Sequence, residues 1–74
     1  MEDKFYEILE NILETKVDQN SNLSMDNCKN WTSLAHIDII MSLEEEFAIK
    51  FNKEELAKLK SQNDLFNFIK EKLC

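Results

Sequence analysis

The chain has 74 residues, 9 lysines or arginines against 15 aspartates or glutamates, and a formal charge of −6. That length supports one hydrophobic core, and a core so small needs close packing or a covalent or metal staple. Acid excess with scattered lysines excludes the basic stripe that nucleic acids require, so no nucleic-acid partner is expected, whereas basic surfaces on other proteins are attracted.

The cysteines offer no staple. Cys28 and Cys74 form no C-x-x-C pair and no His/Cys cluster for zinc, which reads as two buried or idle thiols in a reducing cytoplasm, with a disulfide between them as the alternative, and no metal. The opening MEDKFYEILE places acids where a secretory leader needs basic residues, and no apolar run reaches membrane-spanning length. The expectation is a cytoplasmic, monomeric protein without membrane insertion, one domain over residues 1–74.

Phe5, Ile8, Leu9, Ile12 and Leu13 fall on one helical stripe and predict a first helix over about residues 3–15. From Val17 to Trp31 the periodicity gives way to Asn, Ser, Asp and Gln, whose side chains favour turns. Such a long loop needs pins, and Val17, Leu23, Met25 and Trp31 are the apolar residues available. A second helix is predicted from about Ser33 to Ala48, with Thr32 or Ser33 as N-cap. Asn52 caps a short third helix over about 53–60, with Glu54 and Glu55 in its first turn and lysines at its end. Ser61 or Asn63 then starts a fourth, carrying Leu65, Phe68, Ile69 and Leu73 on one stripe. The fold class is all-α, a four-helix bundle without strands.

The second helix is apolar on two sides. At about 100° per residue, Ile39, Ile40, Leu43 and Phe47 form a core face with His36 beside it. Leu34, Ile37, Met41 and Ala48 occupy the opposite arc, interleaved with Asp38, Glu44 and Glu45. An exposed apolar row rimmed by acids suits docking on a basic, partly hydrophobic partner groove; burial of both stripes between helices is the alternative. Ser33 stands at the head of this helix. As Thr32 is able to cap, the Ser33 hydroxyl is free, and a phosphate ester on it would meet unpaired N–H groups and the positive end of the helix dipole.

Other signals are weaker. DQNSNLSMDNCK imitates a calcium loop in its alternating oxygens but has Leu23 where the turn needs glycine and Lys29 where a bidentate glutamate belongs. His36 lies three residues after Ser33 with no third group to orient it and no oxyanion device, so a hydrogen-bonded histidine between core and loop is expected rather than a catalytic one. Glu44 to Glu46 spread around the helix, with Glu46 in solvent. No catalytic residue is expected.

The stretch SLAHIDIIMSLEEEFAIKF resembles the second helix and following loop of acyl carrier proteins, small acidic four-helix proteins that carry 4'-phosphopantetheine on the serine of an Asp-Ser-Leu motif. The order of elements, with a long first loop and a short third helix, extends the resemblance over the whole chain. It implies that Ser33 receives the phosphopantetheine, that Leu34 is the motif leucine, and that Leu34, Ile37, Asp38, Met41, Glu44 and Glu45 dock partner enzymes. It further implies a phosphopantetheinyl transferase and acyl- or aminoacyl-loading and transfer enzymes with basic docking surfaces as partners. The terminal thiol of the arm would hold an acyl or aminoacyl group as a thioester, and the protein would not itself be an enzyme. The chain departs from the motif in having Thr32 for the aspartate, which keeps the cap and removes a charge facing the transferase. Trp31 before it looks like specialised carriers reading Trp-Asp-Ser-Leu, associated with surface-carbohydrate or secondary-metabolite pathways. The alternative is an unmodified four-helix interaction module that keeps the docking face.

Overall fold

The computed structural model describes residues 2–73, so Cys74 lies outside the described residues. Four helices follow in the expected order, α1 (Glu2–Leu13), α2 (Ser33–Phe47), α3 (Lys53–Lys58) and α4 (Gln62–Leu73). No strand forms among the described residues; one antiparallel bridge, Ser24 with Ser61, ties the long loop to the residue before α4.

The core follows from the helical stripes. Phe5, Leu9 and Leu13 of α1, Ile39 and Leu43 of α2, and Leu65 and Ile69 of α4 are all fully buried. α1 and α2 are the most closely packed pair of helices. Aromatic rings bring in α4: Phe66 meets Phe5 edge-on at 5.4 Å and stacks on Tyr6, while Phe68 stacks on Phe51 at 4.5 Å. Such pairs add about 0.5–1.5 kcal/mol each beyond the area they bury. Burial, and then the charges of Glu2 and Asp18, hold the Tyr6 hydroxyl above the ordinary tyrosine value.

Two helices end by one device, used in a chain without glycine. Helix ends commonly turn through a left-handed residue, usually glycine because a Cβ is penalised there. Here Glu14 ends α1 with φ 54° and Ala48 ends α2 with φ 54°. In each case the glutamate four residues earlier supplies twice. Its carbonyl accepts the N–H of the left-handed residue, Glu10 from Glu14 and Glu44 from Ala48. Its carboxylate accepts the N–H three residues beyond, Glu10 from Val17 at 3.0 Å and Glu44 from Phe51 at 2.8 Å. Val17 and Phe51 are buried, so each carboxylate steers the departing chain back onto the core. The first helix accordingly ends at Leu13, the last residue of its apolar stripe and short of the expected residue 15.

The long loop is pinned as its apolar residues indicate. Val17 and Trp31 are buried, and Leu23 and Met25 pack half-buried against the core. Its side-chain oxygens serve local turns: Asp18 Oδ1 accepts the Asn20 N–H and Asn27 Oδ1 that of Ser24, both at 2.8 Å. No group of three or more His, Cys, Asp or Glu side chains positioned for a metal occurs among the described residues. A polar residue without apolar periodicity supplies the main staple. Gln62, 1% exposed at the start of α4, donates from Nε2 to the Asp18 carbonyl and accepts at Oε1 from the Ser21 hydroxyl and the Leu23 N–H.

α3 is held more lightly. Asn52 and Glu55 make a reciprocal capping box, each side chain accepting the other's N–H at 2.8 Å, but no residue of the helix is fully buried. It ends at Lys58, earlier than expected, with the Lys60 N–H turning to the Lys58 carbonyl.

Candidate functional site

Thr32 and Ser33 divide the start of α2 between them. Thr32 is the N-cap with extended backbone, φ −84° and ψ 175°; its Oγ1 accepts the Ala35 N–H at 3.2 Å and its carbonyl the His36 N–H at 2.8 Å. The Ser33 side chain is exposed, and its hydroxyl has no hydrogen-bond partner among the described residues. The backbone N–H groups of Ser33 and Leu34, which lie too early in the helix for an intrahelical acceptor, are likewise unpaired among the described residues. No acid stands in the first turn of α2 to offset the dipole. An exposed nucleophilic oxygen beside two free donors at the positive end of a 15-residue helix fits a phosphodiester.

Below Ser33 the outer face of α2 carries the apolar row. Leu34 is 76% exposed, Ile37 53% and Met41 62%, so the alternative of burying both stripes does not occur. His36, Ile39, Ile40 and Leu43 are buried on the opposite side, with Phe47 half-buried at its end. Asp38 and Glu45 are exposed between the apolar side chains, and neither forms an ion pair among the described residues. Glu44 is placed differently from these two: it is half-buried, with its carboxylate on the Phe51 N–H. That bond was not visible in the sequence, although the i, i+4, i+7 pattern it shares with Glu10, Glu14 and Val17 is a signal for it.

A cavity of about 330 Å³ opens between α2 and the segment leading through α3, bordered by His36, Ile40, Met41, Phe51 and Leu56. Its walls are mainly apolar, and one of its lining residues, His36, lies about one helical turn along α2 from Ser33. His36 is bonded on both ring nitrogens: the Trp31 indole N–H donates to Nδ1 at 3.1 Å, and Nε2 lies 3.3 Å from the Leu56 carbonyl oxygen. It therefore holds loop to core, as expected, and with both nitrogens engaged elsewhere it is not available as a base for Ser33.

No helix among the described residues is long and apolar enough to cross a membrane. No family model matches the chain, and no solved structure matches it. A curated relative does: the chain is 42% identical over 45 residues to a protein named acyl carrier protein from Thermosynechococcus vestitus. The matched stretch covers 61% of this chain and 56% of the relative, so the chain spans little more than half of that protein's length. Across that stretch the relationship is the one its second helix suggested, a similarity to an acyl carrier protein.

Proposed function

We propose that residues 1–74 make one domain of the acyl carrier family, a cytoplasmic carrier rather than an enzyme, with 4'-phosphopantetheine attached to Ser33. The observation that carries this reading is the division of labour at the start of α2, where Thr32 caps the helix and leaves the Ser33 hydroxyl exposed beside two N–H groups without a partner among the described residues. The prosthetic group, when bound, supplies a thiol that holds an acyl or aminoacyl cargo as a thioester. Ser33 bears the phosphodiester, the free N–H groups of Ser33 and Leu34 stabilise its charge, and the apolar cavity one turn below shelters the near part of an apolar cargo. Treatment of the purified chain with coenzyme A and a broad-specificity phosphopantetheinyl transferase is expected to add the mass of one phosphopantetheine, and Ser33→Ala to abolish the addition. No addition with any transferase from the source cell would overturn the reading.

Partner enzymes with basic docking surfaces engage Leu34, Ile37 and Met41 for contact area and Asp38 and Glu45 for charge, with Glu44 contributing only what its bond to Phe51 leaves. Because Asp38 and Glu45 are exposed and form no ion pair among the described residues, Asp38→Lys with Glu45→Lys is expected to raise the KM for loading about tenfold or more while the thermal midpoint stays within about 3 °C. Unfolding of the double variant, with far-UV helicity lost, would mean that this face is structural. One observation favours the second reading, an unmodified interaction module with the same docking face: threonine stands where the motif has aspartate, and the first turn of α2 is without acid. The loading experiment separates the two.

A further inference from the structure

The hydrogen bonds of His36 join the residue ahead of the α2 cap to the last turn of α3. A neutral imidazole with its hydrogen on Nε2 accepts from the Trp31 indole and donates to the Leu56 carbonyl at the same time. Trp31 is 2% exposed and His36 9%, so water does not readily replace the bond at Nδ1, while the bond at Nε2 is part-buried at the border of the cavity. Trp31 immediately precedes the Thr32 cap and Ser33. Leu56 lies in the last turn of α3, whose carbonyls have no intrahelical partner; the Lys60 N–H that a longer helix would give to Leu56 goes to Lys58 instead. The imidazole is thus a side-chain cap for the end of α3 and, through its other nitrogen, an anchor for the residue ahead of α2.

We propose that Trp31, His36 and the Leu56 carbonyl form a relay that couples the Ser33 segment to α3, so that displacing α3 loosens the start of α2 and loosening Trp31 releases α3. His36 is the positioning residue of this relay. α3 is the less firmly held partner, being six residues long with none fully buried. His36 and Leu56 both border the cavity between α2 and α3, so an occupant that pushes α3 outward acts directly on the bond at Nε2. The coupling is a property of the fold and does not require Ser33 to be modified.

The test uses the unmodified chain and hydrogen exchange read residue by residue by NMR. Trp31→Phe keeps a ring in the core and removes the indole donor; the amides of Leu56 and Leu59, bonded to Asn52 and Glu55 carbonyls, are expected to exchange about five-fold faster, while those of Leu9 and Leu13 in α1 do not change. In the reverse direction, Asn52→Ala removes the capping box of α3, and the indole N–H of Trp31, the single tryptophan, is expected to exchange about five-fold faster. Such reciprocity follows from a coupling and not from two separate structural roles. If Trp31→Phe leaves α3 exchange unchanged, if it accelerates α1 equally, or if Asn52→Ala leaves the indole unchanged, the relay is overturned.

Discussion

Gln62→Leu is expected to lower the unfolding free energy by about 2–4 kcal/mol. The substitution keeps the volume of the side chain and removes all three of its hydrogen bonds, to the Asp18 carbonyl, the Ser21 hydroxyl and the Leu23 N–H. Asp18 and Ser21 are exposed enough for water to recover part of the loss. The Leu23 N–H is half-buried and recovers less, and an orphaned buried donor costs about 1–3 kcal/mol. The Gln62 backbone N–H would still reach the Leu23 carbonyl at 2.8 Å, so the loop remains tethered at one point while its polar face is released. A domain of this size has roughly 4–11 kcal/mol of stability in all, so the loss is a large share of it. Urea unfolding is the measurement, with the midpoint falling and the slope unchanged. A change below about 0.5 kcal/mol would mean that water replaces the glutamine and that the loop is held by its apolar pins alone.

The second large effect separates the two hydroxyls. Ser33→Ala removes an exposed group without a partner among the described residues, so unfolding is expected to change by less than about 0.5 kcal/mol while phosphopantetheine addition is lost altogether. Thr32→Ala removes the oxygen that accepts the Ala35 N–H, so it is expected to cost about 1 kcal/mol in stability while loading persists at Ser33. Thr32→Asp keeps a cap, places a negative charge at the helix N-terminus and, on the proposed reading, supplies the aspartate of the Asp-Ser-Leu motif; loading about tenfold faster is expected at equal or slightly higher stability. Loading of Ser33→Ala at the wild-type rate would place the group on another residue, and loss of folding in Ser33→Ala would make the serine the true cap. Intact mass and urea unfolding on the same three variants distinguish these cases.

Much of the architecture was legible because it is written in periodic apolar residues and local caps. Phe5, Leu9 and Leu13, or Ile39 and Leu43, face the core for reasons contained within one helix, and Thr32 and Asn52 cap within three residues of their own positions. The exposed row of Leu34, Ile37 and Met41 was legible by the same geometry, being what remains when the core face is subtracted. What escaped were polar groups whose partners lie outside their own helix. Gln62 bonds residues 39 to 44 positions away, and no local pattern marks a glutamine as buried. Glu44 reads as a surface acid in a run of three, yet its carboxylate closes the turn after α2. A hydrogen-bonded His36 between core and loop was legible, but its partner Trp31, five residues back across a helix start, was not, because periodicity does not interrogate that spacing.

The central claim is that Ser33 bears a phosphodiester-linked arm, and its most direct test is the mass of the chain purified from its own cells. Peptide fragmentation is expected to place one phosphopantetheine on Ser33, with Thr32 unmodified. A chain of unmodified mass from cells in which the matching transferase is active would contradict the claim and leave the α2 face as the docking surface of an interaction module.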